Sequence, residues 1–352
     1  MIEENKTTYQ QLLQYAEQKY HQKLPFVCYR LPQQPSVVMR WQEQPTLNVF
    51  DIKQAIEGFV FAPFRSNHPS VFIPFDERTT LLSDSPQGDA ENTATHTPIE
   101  TEADKQAHLN LVAQAVTAIQ AGAFEKVVLS RKITLAKPAC PFKSFTNMLL
   151  RYPSAFCYLF YHPVGTWLAA TPETLLYHHQ GEFRTMALAG TKVGDKEWQP
   201  KEREEQQIVT DTIVSQLQPY TTTLKVTDPH TVCAGSVQHL CTEISGTLPT
   251  DKVNEVIQRL HPTPAVCGYP TDKARAFIIE HEPYDREYYT GYCGLIEGTK
   301  MAALYVNLRC MQIDSQHTYL YVGGGITKDS IPEKEYEETQ NKAQTIKLVV
   351  SV

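Results

Sequence analysis

Between residues 126 and 179 five short apolar runs follow one another: KVVLS, ITLA, FCYLFYH, TWLAAT and TLLYHH. Several of the gaps between them are only a few residues long. Parallel strands need a crossover of about a dozen residues or more, so gaps this short leave antiparallel pairing as the favoured arrangement. Further strand-like runs are FVCYRL and VVMRW near the start, then MAALYVNLRCMQI and HTYLYVG after residue 300. Helical patterns fall between the strand groups. YQQLLQYAEQKY opens the chain, and Leu109, Val112, Val116 and Ile119 recur at three- and four-residue spacing before a stop at Gly122. A second helix is expected over about 202–217 and a third from about 333 to the end. Strands in runs with helices grouped between them predict an α+β fold, with layered antiparallel sheets and helices packed outside.

The composition suits such a core: 41% of the 352 residues are hydrophobic and 20% charged. With 32 basic and 39 acidic side chains the formal charge is -7, which gives no footprint for nucleic acid or an anionic membrane. No apolar run approaches the roughly 20 residues that span a bilayer, and MIEENKTTYQ lacks the apolar stretch of a signal peptide. The expectation is a cytoplasmic protein with no nucleic-acid or membrane partner, and a monomer by default. The eight cysteines form no C-x-x-C pair, so they read as unpaired thiols inside apolar stretches. Residues 79–104 are poor in large apolar side chains and rich in Asp, Glu, Ser, Thr, Pro and Gly, which predicts an exposed, mobile connector.

The third helix carries the most local information. Ser330 and Glu333 fit a capping box, with Pro332 tolerated in the first turn. Glu335, Glu338, Lys342, Ile346 and Val349 then recur three or four residues apart and share one face. Because that face ends in apolar side chains, its acidic end should point toward the interior or a cleft, with Lys334 and Glu337 turned to solvent. In the second helix Glu205 precedes Ile208 and Val209 by three and four residues, beside the apolar stripe. Carboxylates buried together are costly unless a cation or proton compensates, and a hard ion held by one or two carboxylates per element suits Mg2+. The competing reading from spacing is a set of exposed charge pairs, such as Glu338 with Lys342. Gly323, Gly324 and Gly325 follow a strand where bare backbone could approach an anion, and Gly190 with Thr191 resembles that arrangement. A tight turn or bulge is the ordinary alternative. Neither matches a Walker A or dinucleotide fingerprint.

Taken in order, nine segments resemble the chorismate-utilising enzymes, and most closely the isochorismate synthases. They are EKVVLSRK (125–132), LAATPETLL (168–176), ALAGTK (187–192), KEREEQQIV (201–209), QHLCTEISG (238–246), HPTPAVCGYP (261–270), HEPYDREYYTGYCG (281–294), VNLRC (306–310) and GGGITKDSIPEKEYEETQNKA (323–343). The resemblance implies a catalytic, chorismate-binding region over 105–352, with 1–104 completing the same layered domain. It implies a reversible hydroxyl shift in which water attacks ring C2, the double bonds move and the C4 hydroxyl leaves. It assigns Lys126 as the base for water, a role that needs a lowered pKa because a free lysine titrates near about 10.4. Glu173 is the acid for the departing hydroxyl and must stay protonated near neutrality. Glu205 and Glu338 match magnesium ligands, with Glu335 close enough to coordinate directly or through water. Tyr289 and Arg309 match positions on the enolpyruvyl carboxylate, completed by backbone around Gly323 and Gly325. Gly190, Thr191 and His239 line the ring side; a buried core histidine is the alternative for His239.

Within the family, aminodeoxychorismate synthases typically carry a lysine where Ala189 stands, which makes a covalent amine unexpected here. Anthranilate synthases use ammonia and generally lack a lysine at the place of Lys126. A salicylate synthase, which would eliminate pyruvate after the same first step, is the nearest alternative. A non-catalytic binding protein on the same fold is the alternative of another class. Cys267 stands where a small Ala or Ser is expected and could alter the pocket. The residues do not distinguish a menaquinone from a siderophore pathway; menaquinone is the preferred reading.

Overall fold

Among the described residues every ladder between extended strands is antiparallel in the computed structural model, in keeping with the short gaps, and a single isolated bridge from Lys6 to Leu82 is parallel. The structure describes residues 6–46, 48–54, 56–90, 98–163, 165–195, 197–235 and 237–352. The described strands form two nine-stranded sheets. In the first, Lys126–Leu135 lies beside Thr318–Ile326, followed by Cys310–Ile313, Gly165–Thr171, Phe156–His162, Phe26–Arg30, Ser36–Trp41 and the edge strand Thr80–Asp84. In the second, Glu182–Lys192 pairs with Val237–Thr247 and Thr174–His179, and Met301–Val306 and Tyr292–Glu297 continue it to Glu57–Ala62.

The sheets pack face to face over an aromatic core that includes Tyr29, Phe59, Phe61, Phe156, Tyr158, Phe160 and Trp167. The ring centroids of Phe61 and Phe160 lie 4.5 Å apart, within the range of favourable aromatic packing. The outer face of the first sheet is covered by helices Tyr9–His21, Pro141–Arg151 and Pro332–Lys347. Helices Pro200–Leu217 and Val253–Leu260 cover that of the second. Phe156–His162 is therefore apolar on both sides, and its sequence does not alternate.

Several expectations change. KVVLS and ITLA are one continuous strand, Lys126–Leu135. MAALYVNLRCMQI, read as a single run, is two strands in different sheets, because the chain crosses at Asn307–Leu308–Arg309 and Arg309 adopts φ 50°. The 79–104 segment is not a connector throughout. Thr80–Asp84 pairs with Ser36–Trp41 and is largely covered, with only Asp84 exposed and Thr7 N–H donating to Leu82 O on its outer side, and residues 91–97 lie outside the described residues. The helix after it spans Glu102–Gln120 across the expected boundary at 104, while strands before that boundary pair within both sheets. The capping box at Ser330 and Glu333 does not form. The N-cap is Ile331, and the Ser330 hydroxyl instead accepts from the Thr327 N–H at 3.1 Å. That helix ends at Lys347.

Candidate active site

Two of the six passages that the described strands make between the sheets lie side by side. Pro172 and Glu173 alone link Gly165–Thr171 to Thr174–His179, and Asn307–Arg309 makes the return. The crossings are tied together: the Val306 N–H donates to Glu173 O at 3.0 Å, and Thr171 Oγ1 donates to Val306 O at 2.7 Å. Both open on a cleft walled also by the Leu188–Thr191 strand end, Tyr289, Gly323, Gly325 and Lys342.

Glu173 is only 2% exposed. Burial drives its carboxyl up to about 8, against the Thr263 hydrogen bond and the charges of Lys126 and Lys342. Thr263 Oγ1 donates to Glu173 Oε1 at 3.3 Å. Lys126 is fully buried, with Nζ 3.0 Å from Glu205 Oε1. Burial raises the Glu205 carboxyl, but Lys126, Lys201 and Lys342 outweigh it and hold Glu205 below the ordinary value. Gly325 lets Glu205 lie against the backbone, since a Cβ there would overlap Glu205 Oε1 and push the carboxylate aside.

The expected acidic face is real. Glu335 is 2% exposed, while Lys334 and Glu337 are exposed. The exposed-pair reading also holds in part: Glu338 Oε1 bonds Lys342 Nζ at 2.7 Å, but the pair is mostly buried and Lys342 also donates to Gly323 O at 2.8 Å. Glu335 Oε1 is paired with Lys201 from the first turn of the second helix. Burial and Glu338 push the Glu335 carboxyl up, with Lys201 opposing. Burial opposes the Lys201 charge, yet Glu335, Glu205 and Glu338 prevail and push it up to about 12.

No three His, Cys, Asp or Glu groups among the described residues close on one point as a ready cation site. The donor set nevertheless suits a hard ion that keeps several waters. A Cβ on Gly324 would stand 3.6 Å from both Glu335 Oε2 and Glu338 Oε1, and the neighbouring Gly325 abuts Glu205. Glu335 Oε2 is buried without a hydrogen-bond partner of normal geometry.

On the far wall Arg309 Nη1 donates to Thr345 Oγ1 at 3.1 Å and Nη2 to His239 Nε2 at 2.7 Å. His239 Nδ1 lies 2.8 Å from Gly190 O, which can only accept, so the bonding assigns the proton to Nδ1 and leaves Nε2 for Arg309. Burial, followed by the charges of Arg309 and Lys342, holds His239 well below its usual value and hence neutral. Among the described residues no carboxylate pairs with Arg309 within 4.0 Å. Tyr289 is buried, and burial raises its phenol so that it stays a donor. Its hydroxyl is 3.0 Å from where a Gly323 Cβ would lie. Gly190, at φ 68°, and Thr191 form a bulge at the strand end.

Gly323 and Gly325 differ from expectation in lying within a strand. They pair with Ser130 and Val128 on one side, and the Cys310–Ile313 ladder stops at Leu320 on the other, which leaves that edge open. Cys267 does not line the cleft; it is fully buried in the cluster with Val127, Leu129, Ala274 and Ile278. All eight cysteines are free.

Sequence reasoning missed three groups. Lys201 lies within a quoted segment, but its partner Glu335 is 134 residues away. Thr263 has no local signal for its bond to Glu173. Arg286, in a buried pair with Glu282, donates to Val128 O, Val266 O and Thr290 Oγ1 and so ties three cleft walls together.

The chain is similar to several known proteins. The chain is 34% identical over 267 residues to isochorismate synthase MenF of Escherichia coli, covering 71% of this chain and 61% of the relative. It is 32% identical over 264 residues to isochorismate synthase DhbC of Bacillus subtilis, covering 67% and 66%. Each match thus spans less than two thirds of the relative's length. The crystal structure of DhbC from Bacillus anthracis superposes with a TM-score of 0.79 at 25% identity, covering 93% of this chain and 96% of that one. MenF of Escherichia coli shares the fold at a TM-score of 0.76 and 24% identity, covering 92% and 88%. The family model described as chorismate binding enzyme matches residues 66–351, which takes in both sheet crossings and every wall of the cleft, and the chain belongs to that family.

Proposed function

We propose that the cleft converts chorismate to isochorismate with Mg2+ as cofactor. The observation that carries this reading is a buried acid poised near neutrality, Glu173, sharing one cleft with Glu205 and Arg309, while Lys126 lies buried behind Glu205 as its partner. Lys126 takes a proton from water as its oxygen bonds to ring C2. The ring double bonds shift, and Glu173 gives its proton to the C4 hydroxyl, which leaves as water. One water is consumed and one released, so the reaction is an isomerisation. The base role needs the uncharged amine, so the Lys126–Glu205 pairing must relax before water is activated.

Arg309, held from behind by neutral His239 and by Thr345, presents its fork to the enolpyruvyl carboxylate, with the Tyr289 hydroxyl beside it. Glu205 and Glu338, with Glu335 next to them, would hold Mg2+, which when bound supplies positive charge for the ring carboxylate. Gly190 and Thr191 shape the ring side.

The test is purified protein incubated with chorismate and MgCl2, with products separated by chromatography. Isochorismate as the main product is expected. Salicylate with pyruvate would replace this reading with a lyase one, and chorismate recovered unchanged would remove the catalytic reading.

A further inference from the structure

Three carboxylates and three lysines meet at the Gly324–Gly325 backbone, one lysine per carboxylate: Lys126 with Glu205, Lys342 with Glu338, and Lys201 with Glu335. The three lysines are not equally free to leave. The Lys126 side chain is fully buried, and Lys342 is 14% exposed and tethered to Gly323 O. Lys201 stands in the first turn of its helix with its side chain 25% exposed, and it has no hydrogen bond other than to Glu335 among those described. Its charge reaches Glu205 and Glu338 as well as Glu335. We infer that the Lys201 ammonium is a resident stand-in for the divalent cation, neutralising the glutamate cluster in the metal-free protein and swinging to solvent when the ion enters. This inference rests on the magnesium reading above and adds a residue that opposes metal binding.

The physical reason is charge balance. Glu335 and Glu338 sit close together with little water, and without a nearby cation the cluster would repel itself or take up protons. A lysine on a flexible stem supplies one positive charge without closing the site, and an ion carrying two displaces it. Lys201 therefore stabilises the empty site and weakens the apparent affinity for Mg2+, since the ion must first expel it.

Calorimetric titration of MgCl2 into the full chain without chorismate compares the parent with Lys201→Met, which keeps the stem and removes the charge. The variant should bind Mg2+ at least about tenfold more tightly, while its metal-free form melts at a lower temperature than the parent's. Uptake by the parent with equal or weaker uptake by Lys201→Met overturns this inference alone. No uptake by either overturns the magnesium reading and this inference together. A second measurement needs no variant. Reductive methylation of the parent, mapped by mass spectrometry, should modify Lys201 several-fold faster with MgCl2 than without it, while Lys126 stays protected. Lys201 reactivity that is unchanged or reduced by Mg2+ overturns the inference as well.

Discussion

Replacing Glu173 with glutamine should make the protein more stable and nearly inactive, and both effects follow from one buried proton. Burial moves the carboxyl from 4.5 to about 8, whereas the unfolded chain releases that proton near its ordinary value. Between those limits the folded state holds a proton the unfolded state has lost, so this group's contribution to stability falls as pH rises. Each pH unit above 4.5 costs about 1.4 kcal/mol. The cost is about 3 kcal/mol at pH 7 and approaches about 5 kcal/mol at pH 8, where it levels off. Glutamine has the same shape, stays neutral at every pH, and its amide oxygen can still accept from Thr263. Urea denaturation of parent and Glu173→Gln at pH 5 and pH 8 measures the difference. The gap should be small at pH 5 and favour the variant by several kcal/mol at pH 8, with isochorismate formation reduced at least about 100-fold because the amide has no acidic proton. A stability gap that does not grow with pH would refute the buried-proton argument. Turnover near the parent's would refute the acid role.

The same proton sets a second expectation: kcat/KM for chorismate should fall above about pH 8 by roughly tenfold per unit, and a flat profile to pH 9 would show that the proton on Glu173 is not used. In Arg309→Lys a single ammonium replaces the fork that reaches both His239 and Thr345, so KM for chorismate should rise about 10- to 100-fold with the melting temperature little changed. A KM within about twofold of the parent's would remove the arginine from substrate binding. Gly325→Ala pushes a methyl into Glu205 Oε1 and toward Lys126 Cε, 3.1 Å away, and should lower turnover about 100-fold in a folded protein. Retention of half the turnover would mean that the Lys126–Glu205 pair tolerates displacement.

The sequence pattern is informative wherever a residue's fate is decided by its neighbours in the chain. Helical spacing placed Glu335 and Glu338 on an inward face and Glu205 beside an apolar stripe, because side chains three and four residues apart share a side whatever packs against them. It could not show that the Met301–Ile313 run breaks, since each half is apolar and both are buried between layers. The break depends on partners far along the chain: Met301–Val306 pairs with Tyr292–Glu297, and Cys310–Ile313 with Gly165–Thr171. Lys201 and Thr263 stayed hidden for the same reason, with partners 134 and 90 residues away. The crossings also explain why chemistry gathers where it does. Inside a strand, alternation commits every second side chain to a packed face, and the ladder consumes the backbone groups. At Pro172–Glu173 and Leu308–Arg309 the alternation lapses, although Glu173 O and Arg309 O still accept from Val306 and Ala170. The crossings bond to one another, and a carboxyl and a guanidinium face the gap between the sheets, with the register of the second sheet shifting at Leu304–Tyr305 where its strand leaves. A site assembled from such crossings sets Glu173, Glu205, His239, Arg309 and Lys342 among apolar neighbours such as Val128, Leu188 and Val266, and that mixture of few charges in a largely apolar wall is what keeps a carboxyl protonated beside cations.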